Sequence, residues 1–385
     1  MRVLLAFDKF KGSLSAPQAC DSEAGALRQR HPNWQCDLCP LTDGGDGFAT
    51  ILTQAAGGRL LPVKATGPRG GLVDASVGMV TGPSIPPEVR RLLQLPESSA
   101  ARSLAIIEMA AASGLQLLVP EDYDPWQATS HGTGQLIRAA AEAGAGAILL
   151  GVGGSATNDL GVGALAALGV EFRGVRGGLI RPPAPTSWER ITRVTGEVFP
   201  AIPPIRIACD VTNPLLGPRG AAAVYGPQKG LRADDLVRLE QAMARMVGLL
   251  CAHGGQPADL ADTPGAGAAG GLPFGLMAAA HARLIPGVGL VAAWLDFDAR
   301  IAAADIVLTG EGRFDESSLS GKGPGVVAAA AARRGKIVHV FAGAVAGAVS
   351  PPGCQLHAIT PRDYALQQAC RDAAHLLAQS VRAVF

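Results

Sequence analysis

The stretch DIVLTGEGRFDESSLSGK, residues 305–322, reads as a short strand, a polar loop and the start of a helix. Ile306, Val307 and Leu308 supply the apolar strand, and glycines alternate with charged side chains in the loop. In α/β proteins, ligands bind at the carboxyl ends of strands, where a helix N-terminus offers free N–H groups and partial positive charge. The stretch therefore predicts an α/β fold with a ligand site in this loop, and a surface turn held by salt bridges is the competing interpretation.

Three other loops combine acids, amides or hydroxyls with glycines after a predicted strand. With the first loop they give four pairs: Asp43 with Asp46, Asn158 with Asp159, Asp210 with Asn213, and Glu311 with Asp315. Lysines accompany these pairs at Lys9, Lys11, Lys229 and Lys322. The carboxyl ends of parallel strands meet at one edge of a sheet, so these polar groups are expected to serve a site and not four separate turns.

Length and composition narrow the class of protein. The 385 residues are enough for two domains, and strands alternating with helices predict a parallel sheet. Glycine-rich or proline-rich seams occur near residues 67–71 and 285–289. Charged residues are 17%, hydrophobic residues 48% and the net charge is +1, which argues against nucleic-acid binding and disorder. Because the N-terminus has too few apolar residues for a signal peptide and no apolar run reaches a membrane span, we expect a cytoplasmic protein without membrane contact.

The inventory of side chains fits phosphoryl transfer, which mainly needs metal-holding carboxylates, cationic side chains and helix N-termini. The chain has no Walker A motif, since Gly321 and Lys322 are followed by Gly323. One alternative is an NAD-dependent oxidoreductase, because Gly151, Gly153 and Ala156 match G-x-G-x-x-G/A and Glu171 follows about twenty residues later. Another alternative is a metabolite-binding regulator without catalytic activity.

Six long blocks, in this order along the chain, resemble the bacterial glycerate kinase family. They are DKFKGSLSA from Asp8, DGGDG from Asp43, GVGGSATND from Gly151, CDVTNPLLGPRGAAAVYGPQKG from Cys209, GAAGGLPFGL from Gly267 and LTGEGRFDESSLSGK from Leu308. The resemblance implies a Rossmann-like domain built from both chain ends, residues 1–66 and 290–385, with a second α/β domain inserted at 67–289. It also implies ATP-dependent phosphorylation of D-glycerate, most often to 2-phosphoglycerate, with Mg²⁺. Separately, we expect the protein to be a monomer or a homodimer.

The chain departs from this family pattern at three positions. Asp46 stands where the family more often has Glu, Leu160 where Gly is common and Pro273 where Gly is usual. The first change keeps the negative charge but shortens its reach by one methylene group. The other two are expected to affect the conformation of their loops, and therefore substrate fit more than the class of reaction.

We assign each candidate site residue a role as a hypothesis. The phosphate-neutralising cations are Lys9, Lys11 and Lys322, and the metal ligands are Asp43, Asp46 and Asp315. Asp210 is the candidate base that orients the glycerate hydroxyl, and Arg313 is the candidate clamp on the substrate carboxylate, because a guanidinium matches a carboxylate bidentately. The remaining nucleotide-binding candidates are Ser13, Gly153, Gly154, Ser155, Asn158, Asn213, Glu311 and Ser318.

Overall fold

A computed structural model describes residues 1–95, 102–319, 323–347 and 352–385. Its strands, in chain order, are β1 Arg2–Phe7, β2 Gln35–Leu38, β3 Arg59–Thr66, β4 Leu72–Val80, β5 Leu104–Glu108, β6 Ala147–Gly151, β7 Glu171–Arg173, β8 Arg193–Thr195, β9 Ile205–Ala208, β10 Arg283–Ile285, β11 Ile306–Phe314, β12 Ile337–Val345 and β13 Cys354–Ala358.

The α-helices of these ranges follow the same order. They are α1 Ala16–Arg30, α2 Phe48–Ala55, α3 Pro87–Leu93, α4 Ala110–Ser113, α5 His131–Glu142, α6 Val162–Ala167, α7 Ala221–Tyr225, α8 Leu236–Gly254, α9 Leu272–Ala280, α10 Gly287–Trp294, α11 Phe297–Ala303, α12 Glu316–Leu319, α13 Gly323–Arg333, α14 Leu366–Arg371 and α15 Ala373–Val384. Within the described ranges, no helix is both long and apolar enough to cross a membrane.

The chain divides into two compact units. Unit 1 comprises residues 1–43 and 291–385, and unit 2 comprises residues 44–290. The first boundary lies earlier than the predicted position after residue 66. The reason is that β3 pairs along its whole length with β4, from Arg59 opposite Met79 to Thr66 opposite Leu72, so this strand belongs to the sheet of unit 2.

Unit 1 contains a five-stranded sheet in the order β13-β12-β11-β1-β2, and every pairing is parallel. Numbered within the unit, this is the doubly wound order 2-1-3-4-5, which reverses between β1 and β11. Residues 3–7 of β1 are completely buried apart from 1% exposure at Leu4, as expected for a parallel strand covered on both faces. Ser15 and Gln18, three residues apart, form a capping box at the start of α1.

The strand of the opening stretch is longer than its apolar residues alone predict. β11 continues through Phe314 and pairs with β12 as far as Phe314 opposite Val345. Glycine makes this possible, because a Cβ at Gly310 would lie 1.8 Å from the carbonyl oxygen of Phe341. Glu311 and Arg313 therefore lie on the strand and not in the loop that follows it.

Unit 2 contains a six-stranded sheet in the order β10-β9-β6-β5-β4-β3. The first four strands are mutually parallel, and β4 and β3 add antiparallel to the edge formed by β5. A separate two-stranded sheet pairs β7 with β8. The parallel strands end at Glu108, Gly151, Ala208 and Ile285, which brings the loops that follow them to one edge.

Candidate active site

In unit 1, acidic side chains gather where the strand order reverses. Asp8 follows β1 and is 5% exposed, although its loop position predicts exposure. Burial raises the pKa of Asp8 to about 7, the carboxylates of Asp43 and Glu311 add to the rise, and Lys9 opposes it. Lys9 Nζ donates to Asp43 Oδ1 at 3.2 Å. This part of unit 1 therefore holds three carboxyl groups and a cation at the carboxyl end of its sheet.

The other predicted residues of unit 1 lie in different environments. Lys11 is exposed, and the Ser13 hydroxyl donates to the Phe10 carbonyl at 2.9 Å within a turn. Arg313 is exposed and lies 3.4 Å from Asp315. Lys322 falls outside the described residues.

Ser318, a predicted nucleotide-binding residue, lies within the short helix α12. Its side chain is completely buried, and its Oγ accepts the backbone N–H of Asp315 at 3.1 Å. In this structure the Ser318 hydroxyl therefore closes the helical turn. Its role in nucleotide binding stays a prediction.

In unit 2, two glycine loops pack directly on each other. The Gly153 N–H donates to the Gly44 carbonyl at 3.0 Å. A Cβ at Gly153 would lie 2.7 Å from both N and Cα of Gly45, and a Cβ at Gly151 would lie 2.5 Å from the Gly44 oxygen. The two loops can approach so closely only because neither carries side chains at these positions, which is the reason for the glycines in both motifs.

Two polar atoms near these loops lack protein partners within the described ranges. They are Asp46 Oδ1 and Asn158 Nδ2, both buried. A Cβ built at Gly154 would lie 3.3 Å from Asp46 Oδ1, so this oxygen faces the glycine loop. A buried carboxylate oxygen is an acceptor for a metal ion or a donor group, and a buried amide nitrogen is a donor for an anion. The predicted roles of Asp46 and Asn158 fit these positions.

Lys229 lies in a buried polar environment that the sequence did not predict. It is 1% exposed, and its Nζ donates to the hydroxyl of Ser155 (2.8 Å), the carbonyl of Thr157 (2.7 Å) and Oδ1 of Asn158 (3.2 Å). Burial lowers the pKa of Lys229 to about 7, and the Asp159 carboxylate opposes the shift. The sequence signal was the lysine in YGPQKG, residues 225–230, but its partners are about seventy residues away in the chain.

Asp159 is part of a buried hydrogen-bond network. Its carboxylate accepts the N–H and Oγ–H of Ser130 and the N–H groups of Gly161 and Gly163, at 2.7–3.2 Å. Burial raises the pKa of Asp159 despite these donors. The side chain therefore holds the start of α5 and α6 in place, while its neighbour Asn158 contacts Lys229.

Asp210 and Asn213 follow β9, as predicted, but both are used by the protein itself. The two Asp210 oxygens accept the Val288 N–H at 3.0 and 2.9 Å, at the beginning of α10. Asn213 Nδ2 donates to the Arg219 carbonyl at 2.8 Å, and its Oδ1 accepts the Tyr225 hydroxyl at 2.7 Å. Both amide atoms of Asn213 thus have a protein partner, and its nucleotide contact stays a prediction. Asp210 is exposed and keeps acceptor capacity.

The predicted metal ligands are divided between the two units. Asp43 and Asp315 lie in unit 1, and Asp46 lies in unit 2. Across the part of the chain that the structure describes, no group of three or more His, Cys, Asp and Glu side chains is arranged to hold an ion. Mg²⁺ itself takes only one or two carboxylates and fills its other positions with water and phosphate oxygens.

Two departures from the family pattern now have a physical reading. Leu160 has φ of 53°, a left-handed conformation that favours glycine, and its side chain is completely buried in the core of unit 2. Pro273 occupies the first turn of α9, where its missing N–H has no helical partner to lose. Leu160 therefore combines a strained backbone conformation with a buried apolar side chain. The helix tolerates Pro273.

Comparison with known proteins decides the family. The model of the glycerate kinase family matches residues 3–385. The chain belongs to the glycerate kinase family. It is 37% identical to a glycerate kinase of Halalkalibacterium halodurans, over 99% of this chain and 96% of that protein. It is 36% identical to the glycerate 2-kinase of Escherichia coli K12, over 90% and 86% of the two chains.

A solved structure agrees. The crystal structure that carries the name glycerate kinase 2, from Salmonella typhimurium LT2, superposes with a TM-score of 0.76 at 36% identity and covers 100% of this chain and 97% of that one. The family is one of kinases, so the chain is an enzyme of the transferase class. The predicted resemblance and the α/β fold are both confirmed.

The dinucleotide interpretation of the Gly151 loop is wrong. A Rossmann fingerprint must open a helix directly, whereas α6 begins only at Val162. Glu171 lies in the two-stranded sheet, where its carboxylate accepts from Arg173 at 2.6 Å. This acid is not at the end of a neighbouring strand of the main sheet, where it would bind a ribose.

Proposed function

We propose that this glycerate kinase family member transfers the γ-phosphoryl group of ATP to a hydroxyl group of D-glycerate, giving 2-phosphoglycerate and ADP. The observation that carries the proposal is the 36% identity, over 90% of the chain, to the protein named glycerate 2-kinase. The arrangement of anion-binding groups in each unit supports it. Phosphoryl transfer needs positioned donors and cations more than a covalent catalyst.

Unit 2 supplies an anion-binding loop in this proposal. Residues 153–155 follow β6, and Gly153 packs so closely against Gly44 and Gly45 that no side chain fits at the contact. Ser155 and Asn158 add a hydroxyl and an amide group beside it. We assign these groups to a phosphate of the nucleotide or to the glycerate carboxylate, both of which accept hydrogen bonds.

Unit 1 supplies cations. Lys9 stands among acids and is held by Asp43, which keeps its ammonium at the carboxyl end of the sheet. Lys11 is exposed in the loop that follows, with freedom to reach a phosphate. Arg313 projects from the end of β11 with 69% of its side chain exposed, which suits a bidentate contact with a carboxylate. Lys9 and Lys11 neutralise phosphate charge, and Arg313 holds the substrate acid group.

Asp210 is the proposed base for the glycerate hydroxyl. Its carboxylate stays at the carboxyl end of β9 because the Val288 N–H binds both oxygens, and each oxygen keeps a second lone pair for a substrate proton. The helix that begins at Gly287 thus orients the proposed base. A carboxylate oriented in this way accepts a proton from a hydroxyl within hydrogen-bond reach.

Mg²⁺ is the proposed metal. The free Asp46 Oδ1 fits it, since a buried carboxylate oxygen lacking a partner within the described residues suits a hard cation. Asp43 and Asp315 are the other proposed ligands. The ion, when bound with the nucleotide, would neutralise charge on the phosphate oxygens.

The test is a coupled assay of ADP release with D-glycerate, ATP and Mg²⁺, followed by phosphorus NMR of the product. A signal from 2-phosphoglycerate supports the proposal. Formation of 3-phosphoglycerate keeps the kinase activity but contradicts the proposed acceptor hydroxyl. Absence of turnover with D-glycerate, while ATP still protects the protein from thermal unfolding, contradicts the proposed substrate. Omission of Mg²⁺ should abolish turnover, and L-glycerate serves as the matched control.

A further inference from the structure

Lys229 is a completely buried ammonium whose hydrogen-bond partners are all neutral. Its three contacts go to Ser155 Oγ, the Thr157 carbonyl and Asn158 Oδ1. An ammonium group has three N–H donors and no acceptor, so each contact uses one proton of the lysine. The lysine thus satisfies its own donors completely at the back of the loop that follows β6.

The direction of these hydrogen bonds determines which polar groups of Ser155 and Asn158 remain available to a ligand. Because Nζ can only donate, Asn158 must turn Oδ1 toward it, and Asn158 Nδ2 is left buried without a partner among the described residues. Ser155 Oγ accepts from the same ammonium, so the hydroxyl proton of Ser155 points elsewhere. Both side chains therefore present donors, the polarity that an anion requires.

We propose that Lys229 is a positioning residue that makes Ser155 and Asn158 hydrogen-bond donors to an anionic oxygen of a substrate. The inference rests on the proposed function, because it concerns the same loop. It goes beyond that function by giving a role to a residue that touches no substrate. The ligand chemistry is a phosphate or carboxylate oxygen, which ADP and D-glycerate respectively supply.

The electrostatic surroundings agree with a proton-dependent role. Asp159 is the charged group that favours the ammonium form, and burial acts against it, so that the pKa of Lys229 lies at about 7. Asp159 in turn interacts with His131, whose pKa is lowered by burial. A neutral amine would turn a lone pair toward one of its three acceptors and could accept the Ser155 proton. Loss of the proton would therefore remove a donor from the ligand side.

The test measures binding of ADP and of D-glycerate by isothermal titration calorimetry, together with kcat and KM. Lys229→Met keeps the chain length but removes all three donors, and Lys64→Met removes an exposed lysine of the same unit as a control. We expect Lys229→Met to lower the affinity for one of the two ligands about tenfold or more, because the loss of hydrogen bonds to a charged group typically has an effect of this size. The ligand affected identifies the anion as phosphate or carboxylate.

A double-mutant cycle distinguishes positioning of Ser155 by Lys229 from a nonspecific loss of structure. Ser155→Ala should lower the affinity for that ligand when it is introduced into the wild type. It should have little further effect when it is introduced into the Lys229→Met variant. The wild-type affinity should also fall above about pH 7 relative to that of Lys229→Met. Folded Lys229→Met protein with unchanged affinity for both ligands would overturn the proposal, as would additive effects in the cycle.

If Lys229→Met does not fold, the role of Lys229 is tested by measuring ligand affinity as a function of pH in the wild type, Ser155→Ala and Asn158→Leu. Each should reduce the loss of affinity that the wild type shows above neutral pH, and a wild-type profile that does not fall contradicts the role of Lys229. Wild type that binds ligands but fails to turn over contradicts the proposed function alone. Wild type that binds neither ligand contradicts both.

Discussion

Replacing Gly153 by alanine tests the contact between the two glycine loops of unit 2. The added Cβ would stand 2.7 Å from N and Cα of Gly45, whereas ordinary contacts begin at 3.4 Å, so the backbones must separate by about 0.7 Å. That separation stretches the bond from the Gly153 N–H to the Gly44 carbonyl, now 3.0 Å. We expect the free energy of unfolding to fall by about 1–3 kcal/mol, the usual effect of overpacking.

The same displacement should affect catalysis more than stability. Misplacing a substrate-positioning group by about 1 Å can lower the rate about a hundredfold, so kcat/KM should fall by at least an order of magnitude. Urea unfolding and the coupled ADP assay measure the two effects. Gly248→Ala is the control, because nothing lies within 4 Å of a Cβ there and the position is helical. Wild-type midpoint and kcat/KM in Gly153→Ala would refute this reading of the loops.

Four further changes give distinct outcomes. Glu23 is buried, neither carboxylate oxygen has a partner within the described ranges, and burial raises its pKa well above the usual value. Its contribution to stability is therefore present below the unfolded pKa and lost as pH rises through the raised folded pKa, so Glu23→Gln should gain stability over wild type as pH increases, measured by urea unfolding. Asp210→Asn should lower kcat about a hundredfold or more if it is the base, and unchanged kcat would leave it only a helix cap. Asp159→Ala should lower the free energy of unfolding by roughly 3 kcal/mol or more, because the buried donors of Ser130 lose their acceptor, and a shift below about 1 kcal/mol would contradict the network. Leu160→Gly should relieve the left-handed strain but lose its buried side chain, for a net loss of about 1–4 kcal/mol in calorimetry; a gain would show that strain dominates.

Local features of the sequence predicted much of the fold. The apolar run at residues 306–308 became a buried parallel strand, as predicted, and Ser15 and Gln18 have the spacing of the capping box that they form at α1. The glycines of DGGDG and GVGGS were predicted to lie in ligand-binding loops, and the structure adds that they allow the close contact of Gly153 with Gly45. The order of six motifs was enough to predict the family. These properties are encoded within a few residues of each position, so they can be read without knowing what is near in space.

Tertiary structure decided the environments of individual side chains. The burial of Asp8 beside Glu311 joins residues about three hundred positions apart. Lys229 meets Ser155 across about seventy positions. Ser318, a predicted nucleotide-binding residue, is completely buried, and its Oγ accepts the Asp315 N–H. Burial, pKa and hydrogen-bond direction depend on groups that the fold brings together. The sequence by itself therefore determined the family and the placement of its loops, while only the folded chain determined which polar groups are paired and which remain for a substrate.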